Sequence, residues 1–373
     1  MDNKKHKKNN LGKIVFLLIM FAAGLACGVI AGKFLGKSAK VGESFWAYLL
    51  ILLVAMYLAM FVQIVVHEAG HLVFGLATGY QFSSFRIGSL MFIKVNDKIK
   101  LRKFSLAGTG GQCLMSPPDL VDGQIPVVLY NLGGCIMNVI FAIIFGVVAY
   151  FTQENEVLFI FAASMVVMGI AYALANGIPM QVGPVSNDGH NALSLGKNPT
   201  AMRAFWLQLK INEQVAKGKR LKELPASWFA VPADEDMDNG LVAAFAVFHA
   251  NWLMDQLRLE EAAEYMKQLL RKKTGIIGLH RSLLINDRIY CELVVRKNVE
   301  EATRLHDKEH MKFIKQMKNH PSIIRSEYAF ALLAEKDEEK AEKLLAQFEK
   351  VAKTYPHPQD IESERELMER CGE

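Results

Sequence analysis

The sequence predicts a mainly α polytopic membrane protein with about four transmembrane helices, a small β-hairpin at the cytosolic face and a C-terminal α-helical repeat domain. Three observations carry that prediction. The 373 residues are 51% hydrophobic and 22% charged, with a mean hydropathy of +0.16, too apolar for an ordinary soluble chain and incompatible with disorder. Charge is also divided unevenly, with 24 charged residues among the first 200 and 57 among the last 173, so two solvents are implied. Residues 14–32, 44–67, 123–153 and 157–187 contain no Asp, Glu, Lys or Arg, and each run is roughly long enough to cross ~30 Å of hydrocarbon as a helix.

The first run follows Lys4, Lys5, Lys7 and Lys8 and contains Ala22, Ala23 and Ala26, features shared with a cleaved signal peptide. It continues through Cys27 to Ile30 without a clear cleavage context and reads as a retained anchor. Lysine and arginine in short loops orient the helices. The N-terminal tail is basic, the segment after the second helix carries Arg86, Lys94, Lys98, Lys100, Arg102 and Lys103, and residues 152–156 carry neither Lys nor Arg. Both termini are therefore expected in the cytosol, against the dissent of three lysines in residues 33–43. The domains expected are a tail and first helix (1–40), a membrane-embedded core (41–198), an amphipathic helix and linker (199–239) and a cytosolic helical domain (240–373).

Five cysteines, odd in number and without a Cys-x-x-Cys pair, suggest neither a disulfide framework nor a cysteine zinc site. The formal charge of +5 suits a cytosolic membrane face, and no basic patch interleaved with aromatics argues for nucleic acid.

The sharpest signal is His67-Glu68-Ala69-Gly70-His71, at the end of the second apolar run. Residues four apart share a helix face, so His67 and His71 can offer two imidazoles to one Zn²⁺. Glu68, one step on, is placed to take a proton from water activated by the metal. The plain alternative is a helix end with interfacial histidines and a snorkelling Glu, but an ionisable residue closing an apolar run is costly and points to function. Zinc hydrolases usually add a third protein ligand. The fourth run ends at Asn187, before Asp188-Gly189-His190; Asp188 is the expected ligand, His190 competes, and a simple Asp-Gly turn is the alternative.

With these residues in view the chain resembles the site-2 protease family of intramembrane zinc metalloproteases. The resemblance covers roughly residues 45–196 and is carried by His67-Glu68-Ala69-Gly70-His71, Gly133-Gly134 with Asn138, and Asn176-Gly177-Ile178-Pro179 leading to Asp188-Gly189. It implies that His67, His71 and Asp188 hold Zn²⁺, that Glu68 is the general base and that Asn176 helps hold the substrate backbone. Two departures stand out: Asn187 replaces the leucine that precedes the family's Asp-Gly, and residues 181–184 lengthen the interval before it. No segment resembles the PDZ modules of some members. The glycines of the third helix also suit close helix packing alone.

Residues 85–105 alternate apolar and polar side chains around Asn96-Asp97, the pattern of a hairpin, which either offers an edge strand to an extended substrate or covers the site. Gly108 to Gly111 and Pro117-Pro118 read as loop without chemistry. Residues 199–216 form an amphipathic helix, lying on the membrane or packed on the core, and residues 224–240, with two prolines and an acidic cluster, read as a linker. Glu260-Glu261-Ala262, Glu300-Glu301-Ala302 and Glu338-Glu339-Lys340-Ala341 each open a helix, their alanines 40 and 39 residues apart. That period suggests an α-solenoid similar to tetratricopeptide repeats, with a groove for a protein partner, although full signatures are absent and a stabilising cap is the alternative.

The expected function is hydrolysis of a transmembrane or membrane-associated peptide by an integral protein of a bacterial plasma membrane. Two rival functions are a membrane-anchored scaffold with an inactive protease-like core and a zinc transporter. The transporter would normally place ligands on several helices at mid-membrane, and the other three apolar runs contain no His and no acid.

Overall fold

The computed structural model describes residues 2–38, 44–95, 98–104, 110–182 and 185–372. In chain order the elements are α1 (Asp2–Ser38), α2 (Ser44–Ala77), β1 (Gln81–Ile87), β2 (Leu90–Val95), β3 (Lys98–Lys103), β4 (Gly111–Ser116), α3 (Val127–Phe151), α4 (Glu156–Gly177), β5 (Gln181–Val182), β6 (Val185–Ser186), α5 (Asp188–Ser194) and α6 (Pro199–Ala216). They continue with α7 (Gly240–Asp255), α8 (Leu259–Arg271), α9 (Gly278–Val294), α10 (Val299–Leu305), α11 (Lys308–Gln316), α12 (Pro321–Phe330), α13 (Glu338–Ala352) and α14 (Pro358–Glu369). The chain divides into two compact units, one of residues 1–82 and 110–199, the other of residues 83–109 and 200–373. The Asn96-Asp97 turn, the Gly108-Thr109 part of the expected loop and the lysines of residues 33–43 lie outside what is described, in backbone or in side chain.

The first unit holds four helices long and apolar enough to cross a membrane: Leu11–Ile30, Trp46–Ala77, Val127–Phe151 and Glu156–Gly177. Their outward faces are apolar, with Leu17, Phe21, Leu53, Tyr57 and Ile143 all more than half exposed, an inversion of soluble packing that only a lipid solvent stabilises. Their inner faces are made of small residues and methionines, including Ala59, Met165 and Met168. At the α2–α3 crossing, a Cβ on Gly70 would lie 2.3 Å from the Gly133 carbonyl oxygen, and one on Gly133 would lie 2.6 Å from that of Gly70. The two backbones therefore touch, which is the packing that glycine permits between membrane helices.

Two boundaries differ from the sequence expectation, and both matter for the site. Helix α2 does not end at the His67–His71 motif but runs to Ala77, leaving the motif roughly two turns inside the helix. Helix α4 stops at Gly177 instead of Asn187; the β5–β6 ribbon intervenes and Asp188 opens α5. Absence of charge marks an apolar environment, and it does not locate the residue at which a helix stops.

In the second unit the expected hairpin is one half of an antiparallel meander. β2 pairs with β3 in the register Phe92↔Leu101, and β1 pairs with β2 with Phe85 opposite Phe92. Met91 and Ile93 are buried and pack with Ala216, so residues of α6 and the meander share a core. The segment expected as a linker is a packed strap: Phe229 is buried and stacks on Trp252 with ring centroids 5.5 Å apart, while its carbonyl accepts a hydrogen bond from His249 Nδ1 at 2.8 Å. Its regular structure is limited to the short 3-10 turns Ala226–Phe229 and Asp234–Asp236, and it is packed nonetheless.

Among helices α7 to α14, α8 packs on its chain neighbours α7 and α9, whereas α12 packs on α13 and also on the more distant α9 and α14. The residues Leu257, Lys297 and Lys336 all adopt positive φ, at 58°, 50° and 59°, each followed by an N-cap and a helix beginning with acidic residues. Ala262, Ala302 and Ala341 are buried in those helices. Non-glycine residues in this conformation cost roughly 1 kcal/mol each, so its recurrence at one position of each helical hairpin reflects a shared turn geometry. Helix α14 is held by Arg325, which bonds both Glu364 and Asp287, by Tyr290 Oη on the Leu367 carbonyl and by Arg220 on Glu366.

Candidate metal centre

Two membrane-unit elements bring together the three metal-donor candidates singled out by sequence. His67 and His71 project from one face of α2, as a spacing of four dictates, and Asp188 arrives from the first turn of α5. The separations are 3.1 Å from His67 Nε2 to Asp188 Oδ2, 3.5 Å from His71 Nε2 to the same oxygen and 3.2 Å between the two Nε2 atoms. A tetrahedral ion with ligand bonds of ~2.0–2.1 Å has donor–donor edges of ~3.3 Å. The three atoms therefore form a triangle of the size one tetrahedral face requires, and the donor set suits Zn²⁺.

Each imidazole is fixed from behind. His67 Nδ1 donates to Asn138 Oδ1 at 2.8 Å, and His71 Nδ1 donates to the Tyr130 carbonyl at 2.8 Å, leaving both Nε2 lone pairs for the centre. Asn138 is buried and oriented in turn, its Nδ2 donating to the carbonyl and Oε1 of Gln63, whose Nε2 donates to the Met165 carbonyl of α4. Gly134 clears the space, since a Cβ there would meet the His67 ring at 2.5 Å. The expectation that the third-helix glycines serve packing thus describes Gly133, whereas Gly134 and Asn138 adjoin the His67 ring. Asn138→Ala is expected to weaken retention of a metal at the triangle by about 10–100-fold, measured by chelator competition, with the protein still inserted in the membrane.

Asp188 is positioned by the residue at which the sequence departs from the family pattern. Asn187 caps α5 by accepting from the His190 amide at 3.0 Å, accepts from the Met180 amide at 2.9 Å and donates to the carbonyls of Ala175 and Ile178. One side chain so ties the end of α4, the ribbon and the start of α5. Gly189 completes the fit, because a Cβ on it would lie 2.1 Å from the Gly177 carbonyl oxygen. Burial disfavours the Asp188 carboxylate, but hydrogen bonding to His67 and His71 outweighs burial and holds its carboxyl well below the usual range. His190, the competing ligand, lies instead beside Ser194, with Nδ1 3.2 Å from the hydroxyl. Asn176 sits in the last turn of α4 with its amide donating to the Tyr172 carbonyl at 3.1 Å.

Glu68 lies against β4, a strand in the stretch read from sequence as loop without chemistry. A Cβ on Gly111 would come within 2.7 Å of Glu68 Cγ. Only a glycine leaves room for this side chain. The residues around the site that sequence reasoning missed are therefore Gly111, Tyr130 and Gln63; the last was visible as a polar residue inside an apolar run.

Neither a curated protein nor a solved structure matches the chain. A family profile does match, that of peptidase family M50, over residues 55–354. That span includes the donor triangle, Glu68 and most of the C-terminal helices, so this integral membrane protein belongs to peptidase family M50, the site-2 protease family.

Proposed function

We propose that the protein is a zinc-dependent endopeptidase that cleaves a transmembrane or membrane-associated peptide segment. The observation that carries this reading is the triangle of His67 Nε2, His71 Nε2 and Asp188 Oδ2, with edges of 3.1 to 3.5 Å, beside a carboxylate that is not one of its corners. Bound there, Zn²⁺ supplies a Lewis acid that polarises the scissile carbonyl and raises the acidity of water.

The chain's own residues supply the rest. Asn138 and the Tyr130 carbonyl hold each imidazole in the tautomer whose Nε2 can ligate. Glu68 accepts the proton of the attacking water and passes it to the leaving amine. Asn176 is assigned to the substrate backbone. A substrate helix must be unwound before a peptide bond is accessible, and the outer edge of β3 is suited to pairing with an extended segment. The C-terminal helices, with their recurring turn, are assigned to binding a protein partner or substrate tail. Loop charge favours cytosolic termini in a bacterial plasma membrane.

The test is cleavage of a membrane-embedded peptide by the purified full chain in proteoliposomes. Cleavage that a zinc chelator stops and added Zn²⁺ restores is the expected result. Cleavage insensitive to chelation contradicts the mechanism.

A further inference from the structure

Beside the triangle stands a donor with no part in the mechanism above. Cys135, on α3, is buried, and its Sγ lies within 4.8 Å of the ligand atoms of both His67 and Asp188. Its place is set by its neighbours: Gly134 faces the His67 ring, and Asn138, three residues on and on the same helix face, bonds His67 Nδ1. From the other side a Cβ on Gly177 would lie 3.5 Å from Cys135 Sγ, so the end of α4 closes over the thiol in ordinary contact. The thiol is free of any disulfide.

We propose that Cys135 is a fourth donor to the metal, defining a resting form in which His67, His71, Asp188 and Cys135 fill its coordination. This rests on the metal centre proposed above and adds a state to it. Thiolate is among the strongest protein ligands for zinc, and four protein donors make a closed site, whereas a catalytic site keeps one position open. Sγ lies within 4.8 Å of two of the three corners, wider than a tetrahedral edge, so bond formation requires the sulfur to rotate toward the centre of the triangle. As the sulfur–metal bond forms, the S–H proton leaves to water; when water displaces the sulfur, the thiol is re-formed and no oxidant is involved. The resting form holds the ion more tightly and excludes water until the sulfur is displaced.

Cobalt replaces zinc with a spectrum that reports its ligands. In the full chain in detergent loaded with Co²⁺, a sulfur-to-cobalt charge-transfer absorption is expected in the near ultraviolet, lost in Cys135→Ala and kept in Cys113→Ala. Zinc retention by Cys135→Ala is expected to fall by about tenfold or more, while cleavage at saturating zinc is faster than in the parent. Visible cobalt bands without charge transfer, or a charge-transfer band that survives Cys135→Ala, overturn the proposal and leave the metal centre standing. Slower cleavage by Cys135→Ala at saturating zinc overturns the resting-state assignment. Absence of any cobalt spectrum contradicts the metal centre itself, and this proposal with it.

Discussion

Glu68→Gln protein is expected to retain its metal and lose cleavage of a membrane peptide by about 10²–10⁴-fold, the usual contribution of a positioned general base. The substitution is nearly isosteric, so Gly111 still accommodates the side chain. Basicity alone is removed. Because Glu68 is not a corner of the donor triangle, zinc content is unaffected, and a substrate that enters is bound without being cut. The same variant therefore serves to capture the substrate for identification of its membrane segment. Unchanged cleavage by Glu68→Gln would remove the carboxylate from the mechanism and with it the protease reading of this site.

Asp188→Ala is expected to act on a different quantity. Loss of this carboxylate removes one corner of the triangle and the only anionic donor among the three, and metal affinity falls by more than about 100-fold. Cleavage falls in parallel and is only partly restored by excess zinc. The comparison with Glu68→Gln is diagnostic, since one variant is metal-bound and inactive and the other is metal-poor. His190→Ala, by contrast, leaves zinc retention unchanged, because His190 lies beside Ser194.

Much of this was legible in the sequence, for physical reasons. Charge-free runs expose lipid-facing helices because ionised groups in hydrocarbon are costly, and the spacing of His67 and His71 fixes a shared face at any depth of the helix. Composition could not show where α2 and α4 end. The motif therefore looked terminal although α2 continues to Ala77, and Asn187 looked like a departure from the family although it is the side chain that ties α4, the ribbon and α5 together. Residues whose contribution lies in absent bulk were the hardest to weigh. Gly111 reads as a loop former until the Glu68 side chain is seen against it, and Gly134 reads as packing until the His67 ring is seen beside it. Asn138 was visible only through the family resemblance, because a single amide in an apolar run does not announce which histidine it orients.

The claim at the centre of this account is that His67, His71 and Asp188 hold one metal ion while Glu68 stands apart from it. Metal analysis of the purified chain tests it most directly. One zinc per chain is expected in the parent protein and in Glu68→Gln, with little in Asp188→Ala. A parent protein that binds no zinc, or a Glu68→Gln protein that loses it, would contradict the account.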